Sequence, residues 1–175
     1  VKVQGSQIAT LSGGTYQSIT TLGSSTLTMH PGLYCIEGNL DIGGGTWKVD
    51  GNMDDGITLF VKGNVTINGG VVQIRAPLSA GWTTEPASYG YTYPTLPGLL
   101  LYVDSPGGAA AVKINGNSSN DYFRGTINYP YGDITINGNA ENVQWLVEVI
   151  GNTVKINGTA ATDITYNGNN GFPGF

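Results

Sequence analysis

The densest group of acidic residues in this chain is the pair Asp54-Asp55, with Asp50 close by in sequence. Paired carboxylates can act as acid and base in glycoside hydrolysis, or supply the oxygen ligands that Ca²⁺ requires. Adjacent residues of a strand point to opposite faces, so Asp54 and Asp55 can serve one site only from a turn. Because glycines flank the pair, we interpret it as a solvated turn and keep Ca²⁺ binding as a weak alternative. No other metal site and no cofactor are expected.

A single histidine, His30, limits the other catalytic chemistries. It argues against a Ser-His-Asp triad and against a metal site built from several histidines. His30 precedes Pro31-Gly32, which indicates a turn and a structural or surface role. Sugar-cleaving β-helices use a groove with several Asp, Arg or Lys residues, whereas Arg75 and Arg124 are the only arginines here and neither stands in such a group. We assign no catalytic residue and expect the protein not to be an enzyme.

Four aromatic residues in one Pro-, Ser- and Thr-rich stretch, residues 78–97, are the best candidates for a binding surface. They are Trp82, Tyr89, Tyr91 and Tyr93. Exposed Trp and Tyr rings can stack on sugar faces or anchor a protein interface. The alternative is that this stretch folds back and its rings cover the flank of the protein. We take the four residues as tentative ligand-binding residues.

A five-residue phrase recurs along the chain and indicates its scaffold. Two apolar residues flank a polar one, and an Asn-Gly, Asp-Gly or Gln-Gly pair follows. Alternation places both apolar side chains on one face, while Asn and Gly tolerate the left-handed backbone of a sharp turn. Each copy therefore predicts a short half-buried strand and a corner. The copies are 1–5, 47–51, 65–69, 112–116, 134–138, 154–158 and 164–168.

The spacing of the phrase predicts how these strands are arranged. Asn115 and Asn137 are 22 residues apart and Asn137 and Asn157 are 20 apart, whereas 47 residues separate Asn68 from Asn115. Asn-Gly also signals hairpins, but hairpins join adjacent strands, not strands about 20 residues apart. Strands that recur at this interval are typical of stacked solenoid coils. We predict an all-β fold, a right-handed parallel β-helix (β-solenoid) with coils of roughly 20–25 residues and one long loop insertion; an antiparallel sandwich or barrel is the alternative.

The same pattern gives the domain organisation. Strand candidates run through residues 1–168, which predicts a single β-solenoid domain. Residues 1–30 are less regular and are assigned to an N-terminal cap, because a solenoid has to cover its open ends. Residues 78–97 form the loop insertion, and 169–175 are a tail or linker. Because the chain begins within the recurring phrase, we expect it to be a piece of a longer protein.

Composition argues against several kinds of partner. Charged residues make up 11% of the chain, the net charge is −5, and the 7 Lys and Arg residues form no basic cluster. Nucleic acid is therefore not an expected partner, since binding it requires a surface that neutralises phosphates.

Cys35 is the only cysteine, and its apolar neighbours predict a small buried side chain. No apolar run approaches the roughly 18 residues that span a bilayer, so no membrane span is expected in this chain.

Several segments, taken in order, resemble a known family. They are 29–36 (Met-His-Pro-Gly-Leu-Tyr-Cys-Ile), 56–61, 65–69, 71–77, 98–104 and 125–130, followed by the closing Asn-Gly phrases. Together they cover most of residues 29–168 and resemble the β-helical extracellular region of bacterial tight-adherence (Flp/Tad) pilus-assembly-associated TadE/TadG-like proteins. The resemblance implies a secreted, non-enzymatic, envelope-associated module, often attached to an N-terminal membrane helix. The aromatic stretch 78–97 departs from the short link that the family has at this point.

These observations together give the expected function. We expect a non-enzymatic structural or adhesive module that is extracellular or on the cell surface and is associated with a pilus or the cell envelope. Its partners would be surface glycans, other envelope or pilus proteins, or further copies of itself. One alternative is a β-helix that binds, or less readily cleaves, carbohydrate through residues 78–97. A second is a self-assembling filament subunit, because coils with open ends can stack head to tail.

Overall fold

The chain folds into one 15-stranded β-sheet in the computed structural model, which describes residues 1–78, 95–138, 140 and 143–158. The strands are β1 (Lys2–Gly5), β2 (Ile8–Leu11), β3 (Gly14–Tyr16), β4 (Ile19–Gly23), β5 (Thr26–Met29), β6 (Gly32–Ile36), β7 (Leu40–Ile42), β8 (Thr46–Val49), β9 (Ile57–Val61), β10 (Val65–Asn68), β11 (Val71–Arg75), β12 (Leu99–Val103), β13 (Val112–Gly116), β14 (Tyr122–Gly138) and β15 (Gln144–Gly158). The predicted ligand-binding residues Trp82, Tyr89, Tyr91 and Tyr93 lie outside the described residues, as does the tail 169–175.

Every strand pairing is parallel, and the sheet winds into stacked coils with three faces. Face A contains β1, β4, β7, β10 and β13; face B contains β2, β5, β8 and β11; face C contains β3, β6, β9 and β12. β14 and β15 run around the corners and add a layer to each of the three faces. The coils lie about 22 residues apart and make about six turns. The predicted β-solenoid is confirmed.

Five of the six described copies of the recurring phrase build the core of face A, and the copy 47–51 lies in β8 on face B. The two apolar residues of the phrase point inward and stack on those of the coils above and below, as in Val65, Val112 and Ile134. Each of these side chains is no more than 1% exposed, and burying one contributes about 1.5–3 kcal/mol. On face B the ring of Phe123 stacks on that of Trp145, with centroids 4.4 Å apart and planes at 6°. The phrase therefore belongs to the scaffold.

The Asn-Gly part of the phrase builds the corner between faces A and B. The side-chain amides form a ladder in which Asn115, Asn137 and Asn157 each donate to the asparagine of the coil before, beginning with Asn68. Glycine is required where the corners of successive coils approach each other most closely. At Gly70, which has a φ of +82°, a Cβ atom would lie 2.1 Å from the carbonyl oxygen of Gly45.

Two details of the first coils bear on the sequence analysis. Residues 1–30, assigned to a cap, hold β1 to β5, which form the terminal coil and part of the next one in the same three-strand pattern. Cys35 is half-buried, not buried as predicted. The alternation in β6 sends Tyr34 and Ile36 into the core, so Cys35 faces outward on face C, in register with Phe60.

Candidate binding surface

The loop between β8 and β9, residues 50–56, carries the predicted acidic cluster and is held by a buried arginine of the next coil. Arg75, in β11, is 7% exposed. Its Nε donates to the carbonyl oxygen of Asp55 at 2.7 Å and its Nη1 to that of Val49 at 3.3 Å. Its Nη2 lies 3.0, 3.1 and 2.7 Å from the carbonyl oxygens of Asp50, Gly51 and Asn52. The backbone carbonyls of this loop thus converge on one guanidinium group.

A second buried arginine binds the same loop. Arg124, in β14, lies in register with Arg75, and its Nη2 donates to the carbonyl oxygens of Met53 and Ala76. Burial lowers the pKa of Arg75, and the neighbouring charge of Arg124 lowers it further, while Asp55 and Asp50 act in the opposite direction. Since arginine stays protonated in proteins, the carbonyl dipoles and these carboxylates compensate for two adjacent positive charges. The sequence alone does not indicate that this loop is the partner of the two arginines.

The oxygen atoms that a Ca²⁺ ion would require in this loop already accept hydrogen bonds. The backbone carbonyl oxygens accept from the two arginines, and the carboxylate oxygens accept from backbone N–H groups. Asp55 Oδ2 accepts the backbone N–H of Asn52 at 2.8 Å, and Asp50 Oδ1 accepts that of Gly51 at 2.8 Å. Within the described residues, no three His, Cys, Asp or Glu side chains gather in one group suited to a metal ion. The Asp54-Asp55 pair lies in a turn. Ca²⁺ binding there stays a prediction.

His30 lies at the corner between β5 and β6, and it too contacts the acidic loop. Its Nδ1 is 3.5 Å from Asp50 Oδ2 in the next coil, a contact that the sequence analysis did not anticipate. Its carbonyl oxygen accepts the hydroxyl of the buried Tyr34 at 2.7 Å. The first contact connects one coil to the next and the second lies within one coil, so the histidine has a structural role.

Between β11 and β12, the described residues on either side of 79–94 form a closed base, which we call the neck (residues 76–78 and 95–98). The backbone N–H of Gly98 donates to the carbonyl oxygen of Pro77 at 2.7 Å, so the outgoing and returning segments are bonded to each other. The N–H of Leu78 donates to the carbonyl oxygen of Asp54 at 3.1 Å. The outgoing segment is thereby attached to the loop that the arginines hold.

The returning segment of the neck is attached to face C by a buried threonine. The hydroxyl of Thr58, in β9, donates to the carbonyl oxygen of Leu99 at 3.0 Å and accepts the N–H of Leu96 at 3.0 Å. Apolar side chains nevertheless remain exposed around the neck: Met53 is 59%, Leu78 44% and Leu96 51% exposed. The two described segments that flank residues 79–94 therefore form a fixed base with an apolar rim.

A second aromatic group, on face C, was missed by the sequence analysis. The rings of Phe60 and Tyr102 stack on its outer side, with centroids 5.4 Å apart and planes at 17°. Tyr131, at the corner of β14, is 47% exposed and lies close enough to Tyr102 to affect its pKa. Burial raises the pKa of Tyr102, and Tyr131 raises it further. Tyr129 and Tyr131 are two residues apart and would share one side of a regular strand, but the register shift between Tyr129 and Asp133 at this corner leaves Tyr129 buried and Tyr131 exposed, which the sequence does not indicate.

Comparisons of this chain with protein-family models, curated proteins and solved structures give no match. In the part of the chain that the structure describes, no helix is both long enough and apolar enough to cross a membrane.

Proposed function

We propose that this protein is a non-enzymatic structural or adhesive module of a cell surface, which presents residues 79–94 on a stiff β-solenoid. The observation that carries the proposal is the neck, where the N–H of Gly98 donates to the carbonyl oxygen of Pro77. An insertion whose ends are bonded together adds a displayed loop without interrupting the coil. Insertions in solenoids commonly occur on the binding face, and loops on rigid scaffolds commonly carry recognition.

The scaffold beneath the neck supports this role. Buried arginines hold the loop that the outgoing segment contacts, and Thr58 holds the returning segment. A fixed base reduces the conformational entropy lost when a displayed loop binds a partner. The aromatic residues of the loop make surface glycans or envelope proteins its partners in this proposal.

The proposed location is extracellular, in association with a pilus or the cell envelope. It rests on the resemblance of residues 29–168 to the β-helical region of TadE/TadG-like proteins. Immunogold labelling of intact source cells with an antibody to the purified chain tests it. Label on the cell surface or on pili is the expected result, and label confined to the cell interior would contradict it.

The adhesive function can be tested by removing the displayed loop while keeping its base. In the test variant a Gly-Asn-Gly linker replaces residues 79–94, which the bonded neck should tolerate. In the control variant the same sixteen residues, a length read from the sequence, are present in scrambled order. Attachment of fluorescent protein to intact cells and to isolated envelope is measured for all three proteins.

We expect the intact chain to attach and both variants to lose at least tenfold in bound protein, with circular dichroism unchanged. Equal attachment by the intact chain and the linker variant would refute the role of the loop. Absence of attachment by the intact chain would refute the adhesive function.

A specific observation favours self-assembly as a second candidate function. β15 pairs with β14 and, within the described part of the chain, with no other strand. Val154 and Ile156 occupy the core positions of the phrase, yet they are 39% and 46% exposed, whereas Ile134 and Ile136 one coil earlier are no more than 1% exposed. A further coil would stack on this side of β15, and in this second candidate function the first coil of another copy stacks there in a head-to-tail contact. The last copy of the phrase, 164–168, lies outside the described residues.

Self-assembly is tested by negative-stain microscopy and sedimentation at increasing protein concentration. Filaments that lengthen with concentration are expected, and the charged variant Ile156→Glu should abolish them. Thr153→Glu, at an exposed position of the same strand, is the control and should still assemble. Monodisperse particles at all concentrations would refute this second function.

A further inference from the structure

A groove of about 420 Å³ lies at the corner between faces C and A, away from the neck. Three successive coils line it: the loop between β12 and β13, the corner of β14, and the corner of β15. The lining residues are Gly108, Ala110, Ala111, Val112, Lys113, Tyr131, Gly132, Asp133, Thr135 and Asn152. Its volume is in the range of sites that hold small ligands.

A buried tyrosine fixes the wall of this groove. Tyr129 is fully buried, and its hydroxyl donates to the carbonyl oxygen of Ala110 and accepts the N–H of Ala110, both at 3.2 Å. Gly132 lies against the ring of Tyr129, where a Cβ atom would be only 2.3 Å from Cε1. The loop between β12 and β13 is therefore attached to the core from beneath, and the groove is formed before any ligand binds.

The groups around the groove favour a neutral, hydroxyl-rich ligand. Tyr131 presents an exposed aromatic ring on one side. Lys113, Asp133 and Thr135 provide an ammonium, a carboxylate and a hydroxyl along the wall, and within the described residues no hydrogen bond or ion pair engages these side chains. One positive and one negative charge leave the wall without net charge, which disfavours phosphates and polyanions.

We propose that this groove binds a neutral pyranose unit of a glycan chain. The apolar C–H face of the sugar packs on the ring of Tyr131, since amphipathic rings provide apolar area with a polar edge. Asp133 accepts hydrogen bonds from sugar hydroxyls, Lys113 donates to them, and Thr135 does either. Small residues on the other side, such as Gly108 and Ala110, leave room for the ring. None of the lining residues belongs to residues 79–94, and the site does not depend on the function proposed above.

The test is titration calorimetry of the whole chain with neutral hexasaccharides: cellohexaose, maltohexaose, fully N-acetylated chitohexaose and mannohexaose. At least one should bind with a Kd in the micromolar to low millimolar range, and hexagalacturonate should bind at least tenfold more weakly than the best neutral sugar. Binding of no neutral hexasaccharide, or stronger binding of the acidic one, would overturn the proposal.

Variants locate the binding site in the groove. Tyr131→Ala should weaken binding at least tenfold, Tyr131→Phe should weaken it less than threefold, and Asp133→Asn should weaken it several-fold. Tyr122→Ala, on face B, is the control and should bind as the intact chain does. An unchanged Kd for Tyr131→Ala would place the sugar elsewhere and overturn the proposal.

The variant with a linker in place of residues 79–94 distinguishes attachment through that segment from sugar binding in the groove. It retains the groove, so its hexasaccharide Kd should equal that of the intact chain even though it no longer attaches to cells. Loss of sugar binding in this variant would assign the sugar to the loop and refute the groove site.

Discussion

The side-chain amide of Asn115 donates to Asn68 Oδ1 at 3.0 Å, although 47 residues separate the two in sequence. Asn157 and Asn137, which are 20 residues apart with no insertion between them, form the equivalent bond at the same length. The coil that contains the neck therefore closes with the same bond as a coil without an insertion. This follows from the hydrogen bond between Gly98 and Pro77, which joins the two segments of the neck.

Replacing an interior member of this ladder should cost more than replacing its last member. Asn115 donates to Asn68 and accepts from Asn137, so Asn115→Ala removes two hydrogen bonds. We expect a loss of about 1–2 kcal/mol in the free energy of unfolding, since one hydrogen bond contributes about 0.5–1.5 kcal/mol. Asn157→Ala removes one bond and should cost about half as much.

Urea denaturation of both variants measures these losses. The control is Asn152→Ala, an exposed asparagine outside the ladder, which should change the midpoint little. If all three variants were equally stable, the ladder would contribute nothing to the free energy of unfolding.

The strands of the scaffold are the part of the fold that the sequence could predict. The phrase fixes which side chains of β10, β13 and the end of β14 point inward, because a shift of one residue would expose every one of them. Its recurrence at about the length of one coil then predicts parallel stacking. Both arguments depend only on local alternation and on spacing.

The arginine contacts and the groove could not be predicted in this way. Arg75 donates to five backbone carbonyl oxygens of residues 49–55. Because every residue has a backbone carbonyl, the sequence does not show which of them accept these bonds. The groove joins residues of three coils, and its wall depends on the bond between Tyr129 and Ala110, which are 19 residues apart. The cluster of Trp and Tyr in 78–97 favours a functional interpretation of that stretch, whereas Tyr131 lies in no such cluster and no role is predicted for it from the sequence.

Removing the guanidinium of Arg75 should release the acidic loop. Arg75→Met keeps most of the buried aliphatic chain but leaves the carbonyls of residues 49–55 without their donor. We expect a loss of about 3–5 kcal/mol, typical of breaking a buried charged network. Hydrogen exchange should show faster exchange of amides 50–56 while face A stays protected.

Two further variants check this interpretation. Arg75→Lys should also be strongly destabilised, because an ammonium group cannot reach carbonyls in several directions at once as a guanidinium does. Lys48→Met, at an exposed position of the neighbouring strand β8, should change stability by no more than about 0.5 kcal/mol. Unchanged exchange of the loop in Arg75→Met would contradict the proposed restraint.

The pH dependence of stability should reveal the buried carboxylate of Asp121, which is 2% exposed. It accepts backbone N–H groups of Val72, Asn117 and Ser118 at 2.8–3.0 Å. Burial nevertheless raises the pKa of Asp121 above its usual value of 3.8. Between 3.8 and the raised value the folded protein binds more protons than the unfolded chain, so this group's contribution to stability falls as pH rises.

Comparison with Asp121→Asn isolates this effect, because the asparagine does not titrate. The variant should be less stable at every pH, since its amide nitrogen cannot accept an N–H, at a cost of about 1–3 kcal/mol. The difference between the two proteins should be largest at and below pH 3.8 and shrink as pH rises towards 7. Urea denaturation between pH 3 and 7 measures it. A difference that grows with pH would mean that the three N–H groups outweigh burial and lower the pKa.

Two glycines with similar backbone conformations should respond differently to the same substitution. Gly70 has a φ of +82° and Gly107 a φ of +90°, so alanine is strained at both by about 1–2 kcal/mol. A Cβ atom at Gly107 would meet nothing within 4 Å, whereas at Gly70 it would lie 2.1 Å from the carbonyl oxygen of Gly45 in the coil before. Gly70→Ala should therefore cost about 1–3 kcal/mol more than Gly107→Ala, because the stacked corners have to separate. Thermal and urea unfolding of the pair measure the difference, and equal losses would show that the corner backbone moves apart without cost.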